Sequence, residues 1–419
     1  MRFLLLHAAV LAVAGLALPA ALCRAQQAAA EENAPAAAPG LSPEAAARLG
    51  QLLDRDWQDR PEWADMAIAL LKGDPDDAGW WRRGTQSRYH WDWLAEKFDR
   101  DYSSVVELAE VPGVAGVDRL LAGLDRDGNG AVAADDFDWS QNSEYLRQRE
   151  NARGLLARFD ADSNGRLTPD DLAKFFDAAD QDQLGFLTAE DLLAAMQRPS
   201  EPAGGEEMPR PDQMLAMLLS GDLGWLNPGP ALEDEAPDFT LPRQDGTGEV
   251  TLSASRNQKP VVLVFGSMTC GPYRSRTGMI DKLHARWGDR ADFYVVYIRE
   301  AHPEDGWRMS SNASVGVEIF QPKSFDERKT VAAQFCSLFQ TTAPVLVDGI
   351  DDRVGEAYSG FPSRLYVIDR AGRVAYKAGR GPFGYNPGEM EQALIMCLLD
   401  EATAEPAVAP PPTEVTPAP

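Results

Sequence analysis

Two sets of residues have types and spacings that could do chemistry. The first is a cysteine at a turn: Pro260 to Phe265 is a β-branched, apolar run, Gly266 to Cys270 breaks it, and a helical pattern follows from Gly271 to Trp287. A thiol there has backbone N–H groups and a helix dipole aimed at it, and both favour the nucleophilic thiolate over an inert buried cysteine. The second is a pair of acidic stretches. Asp125, Asp127, Asn129 and Asp136 take positions 1, 3, 5 and 12 of one, with Gly130 at the turn and Val132 two places on. Asp160, Asp162, Asn164 and Asp171 repeat the pattern around Gly165 and Leu167. With the backbone carbonyls of Ala131 and Arg166 at position 7, each stretch wraps enough oxygens around one point for a hard divalent cation, Ca2+.

These stretches resemble EF-hand loops, and their starts lie 35 residues apart, as in a paired unit. Solvated acidic turns would not explain a glycine and an aliphatic residue recurring in register. Both loops end in Asp, one methylene shorter than the usual Glu, so modest affinity and a structural role are expected, which extracellular calcium would still satisfy. A third copy from Asp180 to Asp191 loses a ligand at Leu184 and reads as degenerate. Asp99, Asp101 and Ser103 read as an eroded hand that binds nothing.

Residues 236–242 and 250–253 resemble the opening hairpin of the peroxiredoxin-like branch of thioredoxin folds, but Tyr273 stands where thioredoxins place a second cysteine, so the dithiol shuttle is unavailable at this turn. Further on, the blocks at Phe265–Cys270, Ala291–Trp307 (with its Glu-Ala-His-Pro-Glu-Asp-Gly-Trp), Ala343–Asp348, Phe361–Ile368 and Gly381–Pro387 resemble, in order, those of iodothyronine deiodinases. The resemblance covers about residues 236–398. It implies an α/β thioredoxin-like domain and an oxidoreductase that uses an external thiol reductant on a small-molecule substrate, such as a halogenated aromatic like thyroxine. It puts Cys270 at the selenocysteine position and His302 and Arg364 at positions associated with substrate binding. The chain departs from that pattern: sulfur replaces selenium, Met268 and Ala343 replace cysteines, and Arg299 replaces the first of two glutamates, leaving Glu300. Low activity on thyroid hormone follows. Cys270 is expected as nucleophile. His302 would protonate a leaving group or hold a phenolic oxygen, and Arg364 would clamp a carboxylate or steady the thiolate; Glu300 completes the catalytic set. Two other readings stay open: a thiol peroxidase, although the Pro-x-x-x-Thr-x-x-Cys pattern is missing, and a non-enzymatic calcium-dependent scaffold.

The elements that must position these groups follow from composition. A chain of 419 residues with 44% apolar and 25% charged residues is globular and too long for one core. Its net charge of −25 argues against nucleic acid and for cations. Residues 1–25 read as a cleaved secretory signal, so the protein is expected to be exported, periplasmic or extracellular, and membrane-held only if Cys23 carries a lipid. A tether (26–41), a Trp-rich helical region (42–95), an all-α EF-hand region (96–200), a linker with one docking helix (201–235), the α/β domain (236–400) and a disordered tail (401–419) should follow. Of the remaining cysteines, Cys336 reads as a packed residue or a resolving thiol, and Cys397 as core. His90 and His284 carry no signal, and no glycine-rich dinucleotide turn calls for a nicotinamide or flavin.

Overall fold

The computed structural model describes residues 42–53, 62–71, 84–140, 142–197, 209–313, 315–382 and 384–404. The expected signal, the tether, Cys23, Trp57, Trp80, Trp81 and the tail beyond residue 404 lie outside them. Helices α1 (Pro43–Leu53) and α2 (Glu62–Leu71) open the chain. The short strand β1 (Gln86–Ser87) and helix α3 (Trp91–Phe98) follow. Then come β2 (Val105–Val106), α4 (Val117–Leu124), β3 (Val132–Ala133), and α5 (Glu144–Phe159), α6 (Pro169–Ala179) and α7 (Ala189–Gln197). Thr168 caps α6 by accepting from the Asp171 N–H, with Pro169 in the first turn.

The expected docking helix is α8 (Pro211–Ser220). Its Met214, Leu215 and Leu218 bury against Ala67, Ile68 and Leu70 of α2, forming a small core of their own.

Beyond it, β4 (Thr240–Pro242) and β5 (Glu249–Thr251) make the opening hairpin. Strand β6 (Val261–Gly266) is buried along its whole length, as a continuous apolar run covered on both faces must be. Helices α9 (Gly271–Arg274) and α10 (Thr277–Trp287), strand β7 (Asp292–Tyr297), helices α11 (Ser310–Ala313) and α12 (Phe325–Phe339) and strand β8 (Val345–Val347) follow. Helix α13 (Arg353–Ala357), strands β9 (Arg364–Ile368) and β10 (Val374–Lys377), and helix α14 (Pro387–Thr403) complete the order. The main sheet runs β1-β10-β9-β6-β7-β8, with β6, β7 and β8 parallel and β9 antiparallel to β6 and to β10. This arrangement, with the cysteine turn at the end of β6 and a cis bond at Phe361–Pro362, is thioredoxin-like.

The region expected to be purely helical before residue 200 contributes to that sheet and its core. β1 pairs with β10 as an edge strand. Leu120 and Leu124 of α4 join the same buried cluster as Trp287 and Ile395. A Cβ on Gly123 would come within 2.6 Å of Ile395, so α4 needs glycine there to lie flat on α14. Among the described residues no helix is long and apolar enough to cross a membrane.

Candidate active site and acidic loops

Cys270 sits where expected, as the residue before α9, its carbonyl accepting from the Arg274 N–H at 2.9 Å. Its expected ionisation is not what the structure favours. The residue is 2 % exposed, and burial pushes the thiol above its ordinary value. The Tyr273 N–H, the Ser363 hydroxyl and the charges of Arg274 and Arg276 pull the other way and are outweighed. The reason is burial; the expected single helix to Trp287 is also broken after Arg274, so only one helical turn follows the cysteine directly.

The loop before Cys270 is fixed by a buried network. The Met268 N–H donates to the Tyr297 hydroxyl at 3.0 Å, and that hydroxyl donates to Glu300 at 2.5 Å. The other Glu300 oxygen accepts from the Thr269 N–H at 2.9 Å and hydroxyl at 2.7 Å. Asn312 donates to the Thr269 carbonyl at 2.9 Å and is itself held by Arg274 at 2.7 Å. Glu300, 1 % exposed and with its pKa raised by burial, therefore holds the cysteine loop in place; its expected place in the catalytic set is corrected to positioning.

His302 is tied to the same loop, its N–H donating to the Thr269 hydroxyl at 3.0 Å. Its Nδ1 lies 3.1 Å from the Trp307 carbonyl, which can only accept, so Nδ1 carries the proton and Nε2 keeps its lone pair. Burial brings its pKa down to about 4, so the ring is neutral near pH 7. Of the two expected roles, this state suits holding a phenolic hydroxyl by accepting its hydrogen bond and not protonating a leaving group. Trp307, edge-on to the ring at 4.8 Å, also packs against the small core of α2 and α8, which steadies the His302 block from outside.

Arg364 departs most from expectation. It is fully buried at the start of β9, with Nε donating to the Ala378 carbonyl at 2.8 Å and Nη1 to those of Pro228 and Ser359 at 3.1 and 3.3 Å. Burial turns its guanidinium into a brace between the linker and β10, not a carboxylate clamp. The cations that act on the thiol are Arg274 and Arg276, which follow the cysteine closely in sequence, a signal the reading of motifs passed over. Cys336 is half-buried, with its thiol pushed up to about 11 by burial. Cys397 is core.

In the first acidic loop Asp125 accepts from the Asn129 and Gly130 N–H groups at 3.1 and 2.9 Å, and Asp136 from those of Arg126 and Ala133 at 2.7 and 2.9 Å. Carboxylate oxygens of Asp125, Asp127 and Asp136 lie within 4.8 Å of one another. Burial raises the pKa of Asp136, as expected of anions gathered for a cation. The second loop repeats the turn bonds, Asn164 and Gly165 donating to Asp160 at 3.1 and 2.7 Å, and burial lifts Asp160 to about 6. The gathered oxygens of the first loop fit a hard cation, whereas Asp160, Asp162 and Asp171 of the second are not drawn together in the same way, and the Arg166 side chain turns away to Asp281.

Loop pairing differs from expectation. β3 of the first loop pairs with β2, Val105 opposite Ala133 and Val106 opposite Val132, so its partner is the stretch that read as eroded. Asp99, Asp101 and Glu110 gather carboxylates within 4.8 Å there, and Ser104 takes the left-handed turn position at φ +66°. The missing glycine hid this loop, while Glu110, eleven residues after Asp99, was the available signal.

The fold and its thiol turn define a thioredoxin-like domain with one cysteine at that turn. Residues 225–396 match the family model described as iodothyronine deiodinase. Similar relatives include thyroxine 5-deiodinase of Gallus gallus, 36% identical over 156 residues (37% of this chain, 58% of the relative), and type II iodothyronine deiodinase of Homo sapiens, 33% identical over 139 residues (33% and 50%). The chain spans about half the length of the curated relatives it matches. Similar solved structures include a thiol:disulfide interchange protein of Chlorobium tepidum, with 18% identity, TM-score 0.29, covering 40% of this chain and 98% of that one. Another is the thioredoxin domain of a thiol-disulfide oxidoreductase of Bacteroides vulgatus, with 21% identity, TM-score 0.27, covering 38% and 96%.

Proposed function

We propose that the protein is an exported, calcium-binding oxidoreductase in which Cys270 drives thiol-dependent reduction, the substrate class being iodinated phenols. The observation that carries this reading is the match of residues 225–396 to the deiodinase family model, with Cys270 at the turn after the central strand. In the balanced step the Cys270 thiolate takes iodine from the ring carbon as a sulfenyl iodide, and the carbon takes a proton. Two equivalents of an external thiol then release iodide and return Cys270 to the thiol, leaving as their disulfide. His302 Nε2 is suited to accept a hydrogen bond from a phenolic hydroxyl, Glu300 fixes the loop, and Ser363 and Arg276 favour the anion. A sulfur this buried sets slow turnover as the expectation. Calcium would be held by Asp125, Asp127, Asn129, Asp136 and the Ala131 carbonyl, and by Asp160, Asp162, Asn164, Asp171 and the Arg166 carbonyl, where it neutralises gathered carboxylates.

The burial of Cys270 favours one second reading, a calcium-dependent scaffold that keeps the fold without the chemistry. The two separate in one experiment: iodide release from 2,6-diiodophenol with excess dithiol, the wild-type chain beside Cys270→Ser. Release by the wild type alone supports the enzyme, and equal release from both leaves the scaffold.

A further inference from the structure

Between α5 and the turn after Cys270 lies a cavity of about 670 Å3, the size of a small-molecule site. Three guanidinium groups line it: Arg149 and Arg153 from α5, and Arg276 from the break between α9 and α10. The available carboxylates do not balance them. Glu150 pairs with Arg153 at 2.8 Å, and Glu389 is shared between Arg149 and Arg126, which leaves two carboxylates for the three cations of the lining. Burial and the nearness of Arg153 bring Arg276 down to about 10, and Arg149 is lowered by burial as well. Cations crowded into a half-buried space without enough counter-charge are a standing electrostatic cost that an anion would relieve.

A second, independent observation points to a ligand. Tyr385 is 1 % exposed, lines the cavity, and its hydroxyl has no hydrogen-bond partner among the described residues; the same holds for Arg276 Nε. Buried polar atoms of that kind are normally satisfied. The walls also suit a ring, since Trp139 lies 5.7 Å from the Arg149 guanidinium and Tyr385 lies 5.8 Å from that of Arg276, with Leu146 and Pro272 beside them.

We propose that this cavity binds an aromatic carboxylate, its anion held by Arg149, Arg153 and Arg276 and its ring by Trp139 and Tyr385. Pro272 and Ser275 of the wall lie two and five residues after Cys270 in the chain, so the ligand sits beside the thiol's helix. Two of the three cations lie on α5, outside the stretch that matches the deiodinase model, so the site exists only where the acidic-loop region docks on the thioredoxin-like part. The inference rests on the thiol reading for its catalytic meaning, but its test reads binding without turnover, so either can fail alone.

The full chain carrying Cys270→Ser is titrated calorimetrically with 3-phenylpropionate, neutral 3-phenylpropionamide and inorganic sulfate. The carboxylate is expected to bind at least tenfold tighter than the amide or sulfate. Arg149→Gln with Arg153→Gln should weaken the carboxylate at least tenfold and leave the amide unchanged, while Arg149→Lys, which keeps the charge, retains most of the affinity. Equal binding of acid and amide, no heat from the acid at 10 mM, or an unaffected double variant would each overturn the proposal. Sulfate binding as tightly as the acid would overturn its aromatic half.

Discussion

His302 is the side chain whose protonation the structure specifies most fully, and it gives a signed prediction. In the unfolded chain an imidazole takes a proton near pH 6.5, whereas in the fold burial holds this one neutral down to about 4. Between those values the unfolded state binds more protons, so this contribution to stability is present above pH 6.5 and is lost as pH falls towards 4. After allowing for the part of the ring that water reaches, the loss is about 2–3 kcal/mol. Asp160 and Asp348, both raised to about 6 by burial, tilt the whole-protein curve the opposite way, so the contribution is read by difference. Urea unfolding of wild type and His302→Gln from pH 7.5 to 4 should show the wild type losing ground to the variant as pH falls. Parallel curves would mean that the imidazole is not held neutral.

The second acidic loop and the helix break after Cys270 are built against each other, and two glycines at equivalent loop positions test it. Gly130 and Gly165 both turn with positive φ, at +88° and +74°. A Cβ on Gly130 would meet nothing within 4 Å, while one on Gly165 would stand 2.4 Å from the Ser275 carbonyl oxygen. The adjoining Asn164 carbonyl accepts from the Thr277 hydroxyl at 2.8 Å, and Gly278 comes as close to Gly165 from the other side. Gly130→Ala should cost about 1–2 kcal/mol from the left-handed backbone alone. Gly165→Ala should cost at least about 2 kcal/mol more, because backbone has to move. Equal losses in chemical denaturation would show that the contact is not held in solution. Here the limits of the sequence are plain. Spacing marked both glycines as turn residues, since turn chemistry is local, but nothing local distinguishes a glycine facing water from one pressed on a carbonyl 110 residues away in the chain. The same holds for Arg364, expected to clamp a carboxylate or steady the thiolate but buried by carbonyls that only the folded chain assembles. The strands and the Cys270 turn were legible because an apolar run and a helix start are written in adjacent residues.

Because the first acidic loop, α4 and the thioredoxin-like sheet share one buried cluster, they should unfold as one cooperative unit. The first loop is tied to α14, where Gln392 accepts from the Trp139 indole at 2.7 Å and donates to the Asp136 carbonyl at 2.9 Å. The second is tied to α10 through Thr277. A cation held by either loop stabilises the folded state only, so mass action adds its binding energy to the whole transition and not to a separate acidic-loop melt. With dissociation constants near 10⁻³ M, raising calcium from a chelated state to 10 mM contributes about 1.4 kcal/mol per site. For two loops that amounts to a rise of several degrees in a single melting transition. The measurement is differential scanning calorimetry in EGTA and in 10 mM calcium, with magnesium as control. One transition that moves whole is the expected outcome. Two transitions, of which calcium moves only the first, would mean that the shared core does not couple the loops to the cysteine's domain.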